Sequence, residues 1–274
     1  MVKFQYILTL NEPVYARIAA DNAIKLATMY NAEISIINVV DNNLFKEEDE
    51  IGIQTELGQR LVDKYKHICE NSGISITNAT VAIGSPVSEI IKMQKEIDAS
   101  LIILGASKNK LGNIAEKLIK DVKCHVLIAH ENTYGDELFS NILVPVDSTK
   151  DAEYAGKFAA SIAHRSHSNL TACHIFPHEI KVDESNEITK PVLDIARSKG
   201  IQAKSLTVEG KTADEILNII YDKSFNLVVL GYSGRGKVSR FVHGSVSEKV
   251  IHSATCSVFV VKSIRTERIY TIPK

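Results

Sequence analysis

Four things are scarce in this sequence of 274 residues, and each scarcity closes off a class of protein. Paired cysteines are the first. Cys69, Cys124, Cys173 and Cys256 stand far apart with no Cys-x-x-Cys pair, which argues against a zinc site and a disulfide framework and fits a reducing, cytoplasmic compartment. An excess of one charge is the second: the net charge is −1, too balanced for a dedicated nucleic-acid binder. Long apolar runs are the third, since none approaches the roughly 20 residues that cross a bilayer. Met1 leads straight into the short apolar stretch Phe4–Leu10, so the expectation is a soluble chain, neither exported nor inserted in a membrane. Catalytic signatures are the fourth. Neither a Gly-x-Ser-x-Gly elbow nor a Gly-x-x-x-x-Gly-Lys-Ser/Thr loop occurs, and His-x-Gly-His and Ser-Gly-Gly-x-Asp-Ser are lacking too.

The length allows two domains, each able to bury its own core. An internal repeat supports two: FQYILTL at residue 4 returns as FSNILVPVD about 135 residues later. Further on, Gly73 to Ser107 matches Gly200 to Ser233 in the same order of strand, glycine turn, amphipathic helix and second strand. Domains are expected over 1–135 and 136–274, joined by the polar stretch from Glu131 to Leu138. From about Arg265 an exposed tail is expected.

Short runs of Val, Ile and Leu alternate with helix-length patterns, and runs such as Leu101–Leu104 and Leu227–Leu230 suit strands buried on both faces. The pattern predicts α/β domains: five-stranded parallel sheets with helices on both faces. Strands are expected near 4–10, 34–40, 76–82, 100–105 and 125–129, then near 141–146, 170–176, 203–208, 226–231 and 257–262. In the second half, helices are expected near 150–165, 186–199, 212–222 and 245–253.

Ligands of open parallel sheets bind where loops leave the carboxyl ends of strands. The sharpest constellation follows Leu230, where Gly231, two residues, Gly234, nine residues and then Gly244-Ser245 open a helix. Glycines let backbone amides approach phosphate oxygens, and free amides at a helix start favour an anion. Arg235, Lys237 and Arg240 add positive charge nearby.

This Gly-x2-Gly-x9-Gly-Ser loop after a strand, with an Asp closing strand one, resembles the nucleotide loop of universal stress proteins. The resemblance spans both halves, so the chain is similar to a tandem universal stress protein of two Rossmann-like, adenine nucleotide alpha hydrolase-like domains. It implies ATP, with Mg2+ on the phosphates, in the second domain of a stress-response regulatory protein. Adenine and ribose would lie near Pro145, Asp147, Ile175 and Leu230, with Asp147 accepting a ribose hydroxyl. Phosphates would meet Gly231, Gly234, Gly244, Ser245 and Val246. Family members often pair through their last strands, here Val126–Ala129 and Val258–Val261, which implies an intrachain pseudo-dimer and further association of two chains.

Blander readings stand beside these. Ser245 and Glu248 form a Ser-x-x-Glu capping box that stabilises a helix start without any ligand. Asp147 could cap the helix beginning near Thr149. A ligand-free interaction scaffold and a slow ATPase remain open as alternatives, although no residue is identified that positions water.

In the first half only six residues separate Gly105 from Gly112, where twelve separate Gly231 from Gly244. Gly234 has Lys108 as its counterpart, and the Asp147 position falls on Asn11 or Glu12. Nucleotide binding is therefore expected in the second half alone, with the first as a structural or docking partner. His164 and His167 are read as solvated, Cys173 as a buried hydrophobe, His174 as a packed edge residue, and Cys124 with Cys256 as structural. Lys46 to Glu50 is read as a solvated connection after the second strand.

Overall fold

A computed structural model of the chain describes residues 3–106, 112–131, 137–176, 182–232 and 245–262, with backbone alone at 182–186 and 245. These residues fall into two compact units, the break coming after Glu131.

Unit 1 contains β1 (Gln5–Leu10), α1 (Pro13–Tyr30), β2 (Glu33–Asp41), α2 (Glu48–Asn71), β3 (Ile76–Gly84), α3 (Pro86–Glu96), β4 (Leu101–Gly105), α4 (Asn113–Asp121) and β5 (His125–Ala129). Its strand order is β3-β2-β1-β4-β5, all parallel. Unit 2 repeats the plan with β6 (Asn141–Pro145), α5 (Lys150–Ser166), β7 (Asn169–Phe176), α6 (Val182–Ser198), β8 (Ala203–Glu209), α7 (Thr212–Asp222), β9 (Leu227–Tyr232), α8 (Ser245–Ser253) and β10 (Ser257–Lys262). Its order is β8-β7-β6-β9-β10, again parallel. Such an order reverses the direction of winding after the third strand, so right-handed crossovers put two helices on each face. Helices α1 and α2 pack together, as do α3 and α4, α5 and α6, and α7 and α8.

The strand ends lie within a residue or two of the positions expected from the sequence. Continuous apolar runs become strands as expected, with β4, β5 and β10 buried throughout. Small residues explain how helices α1 and α5 settle so closely on these strands. The buried face of α1 carries Ala16, Ala19, Ala20, Ala23 and Ala27, and that of α5 carries Ala152, Ala155, Gly156, Ala159, Ala160 and Ala163. Both helices end on a left-handed residue, Asn31 and His167, so His167 closes α5 as its C-cap. His164 and His167 are exposed, as expected. The four cysteines are free and buried, and burial pushes the thiols of Cys69, Cys173 and Cys256 up to about 12.

Several expectations are corrected. The acidic run after β2 is not all connection: α2 opens at Glu48, so Glu48, Asp49 and Glu50 form a first turn in which carboxylates oppose the positive end of the helix dipole. Helix α6 begins at Val182, four residues earlier than expected. The linker reading extends too far, because Leu138 is buried beside the fully buried Phe139. Asn226 fastens that turn, donating from Nδ2 to the Glu137 carbonyl at 2.8 Å and to Ser140 Oγ at 2.7 Å. His174 is not on an edge, since β7 lies between β6 and β8.

Candidate functional site

Strand order reverses between β1 and β4 in unit 1 and between β6 and β9 in unit 2, and this switch point is where an open parallel sheet leaves a crevice for a ligand. In unit 2 the two strands pair only at Ile142 with Leu227 and Leu143 with Val228. Beyond that, β6 ends at half-buried Pro145, which has no N–H to offer a neighbour. The corresponding residue of unit 1 is Thr9, whose hydroxyl donates to the Ile103 carbonyl at 3.2 Å and ties β1 to β4 across the switch point. Unit 2 therefore lacks the tie that unit 1 has.

Asp147 lies two residues past β6, with its side chain exposed and held. Its Oδ1 accepts the Thr149 backbone N–H at 2.8 Å and the Thr149 hydroxyl by a short contact. Thr149 in turn is the N-cap of α5, accepting the Ala152 N–H at 3.2 Å. Asp147 thus supports the capping residue without being the cap itself, and its Oδ2 has no partner among the described residues. Counting from the strand registers, Asn11 is the unit 1 counterpart of Asp147, which resolves the choice between Asn11 and Glu12.

The carbonyl just before each of these residues is held by a buried side chain that sequence reasoning missed. His174 Nδ1 lies 2.9 Å from the Val146 carbonyl, and Asn38 Nδ2 donates to the Leu10 carbonyl at 2.8 Å. A carbonyl can only accept, so Nδ1 of His174 carries the proton. The signal available in the sequence was a polar residue near the carboxyl end of a mostly apolar strand, at the same place in both repeats.

Gly231 has a packing role. A Cβ there would come within 2.4 Å of the Asp151 carbonyl oxygen, because the first turn of α5 presses on β9. A Cβ added at Gly105 would strike the Tyr15 carbonyl oxygen of α1 in the same way, in a unit with a shortened loop. Leu230 and Ile175 are buried near the carboxyl ends of β9 and β7. Helix α8 opens at Ser245, one residue earlier than the capping-box reading of Ser245 requires. Val246 is half-buried in its first turn, and Ser247 Oγ donates to the Gly231 carbonyl at 3.3 Å, fixing that turn to β9. At the ends of the paired strands β9 and β10, Lys262 Nζ sits 4.3 Å from the Tyr232 ring centroid, and burial, then the charge of Glu248, raises the Tyr232 phenol. Gly234 and Gly244 lie outside the described residues, as do Arg235, Lys237, Arg240 and Lys108.

Two doubly wound parallel units, with a fixed carboxylate at one switch point, place the chain among Rossmann-like α/β proteins. The model of the universal stress protein family matches residues 8–130 and again 138–262, and the chain belongs to that family. A universal stress protein of Methanocaldococcus jannaschii is 28% identical over 149 residues, which span 48% of this chain and 88% of that protein. The crystal structure of a universal stress protein from Archaeoglobus fulgidus shares the fold over 94% of this chain and 98% of its own, with a TM-score of 0.78 and 22% identity. A universal stress protein crystallised in complex with cAMP matches 44% of this chain and 94% of its own, with a TM-score of 0.38 and 21% identity. No described helix is long and apolar enough to cross a membrane.

Proposed function

We propose that the chain is a stress-response regulatory protein that binds ATP, with Mg2+ on the phosphates, in unit 2 alone. Unit 1 serves as a structural docking partner, and a second copy of the chain as a further partner. The observation that carries this reading is the contrast between the switch points: Thr9 ties the first across, whereas Pro145 leaves the second untied beside a carboxylate fixed through Oδ1. Oδ2 of Asp147 would accept a ribose hydroxyl, with the base near Pro145, Ile175 and Leu230. Phosphates would meet the amides around Gly231, Gly234, Gly244, Ser245 and Val246, where a helix start favours anions. Domain boundaries at 1–135 and 136–274 fit two such units. The four free cysteines support a cytoplasmic setting.

The ligand-free scaffold is the second reading, and Gly105 favours it. Glycine persists at that position in the unit with the shortened loop, because helix packing alone demands it. Calorimetric titration with ATP and Mg2+ separates the two. One site per chain, lost in Gly244→Val, is the expected result, with AMP, ADP and cAMP titrated in parallel to rank the ligands. No heat from the intact chain, once co-purified nucleotide has been ruled out by mass, selects the scaffold.

A further inference from the structure

We propose that His174 is a positioning residue: its Nδ1–H sets the direction in which Asp147 leaves β6, and so sets the affinity of the unit 2 site for a ribonucleotide. The inference rests on the reading that Asp147 meets the ribose.

The peptide from Val146 to Asp147 is one rigid plane that runs from the Cα of the first residue to the Cα of the second. Whatever fixes the Val146 carbonyl therefore fixes where Asp147 begins. Strand β7 holds Val146 from both sides: its N–H donates to the Cys173 carbonyl at 2.8 Å, and its carbonyl accepts from His174 Nδ1 at 2.9 Å. The Asp147 side chain is then locked from the other direction by Thr149. His174 is 8% exposed, so water does not compete freely for the carbonyl. Without the donor, the buried carbonyl would turn to find another partner and carry Asp147 with it.

Unit 1 contains an internal control. Asn38 occupies the same register position opposite Leu10, is 9% exposed, and makes the same bond with a side-chain amide. The requirement at this position is thus a buried N–H donor of limited reach, which both imidazole and carboxamide meet. What differs is the residue that follows: Asn11 in unit 1 and Asp147 in unit 2.

The test is a set of ATP titrations, with Mg2+, on the full chain at a temperature where every variant is folded by circular dichroism. His174→Leu keeps the approximate volume and removes the donor, and should weaken binding about tenfold. His174→Asn restores the donor as Asn38 supplies it, and should bind within about threefold of the natural chain. Because His174 acts through Asp147, adding His174→Leu to Asp147→Ala should cause no further loss, a coupling that a general packing role would not produce. Additive losses in this cycle, or failure of His174→Asn to rescue, would overturn the inference while binding by the natural chain stands. Absence of binding by the natural chain would instead remove the nucleotide reading, and the positioning role with it.

Discussion

The two units differ little in backbone plan and sharply at one place. Strands, helices, left-handed caps and the glycine under the first helix recur at matching positions, down to a buried donor on the carbonyl just before Asn11 and Asp147. At the switch point they part. Unit 1 has Thr9 stitched to Ile103 and a neutral Asn11, whereas unit 2 has Pro145 without a stitch and Asp147 fixed by Thr149. The comparison separates what the fold requires from what a ligand would require. Features present in both units, such as Gly231 with Gly105, follow from packing, and only features confined to unit 2 speak for a site.

The largest effect expected from this comparison is on stability. Gly105→Val and Gly231→Val each force a side chain against helix backbone, and both should lose about 3 kcal/mol in urea unfolding. A loss below about 1 kcal/mol for Gly105→Val would break the packing explanation and leave Gly231 to be explained by ligand contact alone.

A middle-sized effect should sharpen the difference between the units. Asn226 accepts the Asn141 N–H at 3.0 Å through Oδ1 while its amide holds Glu137 and Ser140, so Asn226→Ala should cost about 2 kcal/mol. Its counterpart Ser100 makes one side-chain bond, to the Gln5 carbonyl at 3.2 Å, and Ser100→Ala should cost less than about 1 kcal/mol. Equal losses by denaturant unfolding would mean that the turn before β6 contributes nothing particular to unit 2.

The smallest effect concerns the helix caps. Thr149→Ala removes the cap of α5 and should cost about 1 kcal/mol. Glu12, the N-cap of α1, makes no side-chain cap bond, so Glu12→Asp should gain a few tenths of a kcal/mol or more, measured as a rise in Tm. If Thr149→Ala also weakens ATP binding, its hold on Asp147 matters beyond the cap.

Much of this was legible in the sequence, because parallel strands buried on both faces leave continuous apolar runs and the repeat doubles each signal. The acidic run at 47–50 misled because charge in the first turn of a long helix looks like a solvated loop until the apolar face of α2 is seen. Leu138 was misread because a short polar stretch hides a buried anchor, and Asn226, which holds Glu137 and Ser140 on either side of the buried pair, lies far along the chain.

By itself the sequence determined the two units, their parallel five-stranded plan, and the contrast between an intact glycine loop and a shortened one, since spacing and hydrophobic periodicity are local properties. Tertiary structure alone decided which residue faces which across the sheet. Register made Asn11 the counterpart of Asp147, let Thr9 reach the Ile103 carbonyl, and set Asn38 and His174 on the carbonyls just before those two residues. Those contacts join residues about 28 to 94 positions apart, and a hydrogen bond over such a separation exists only once the strands have paired.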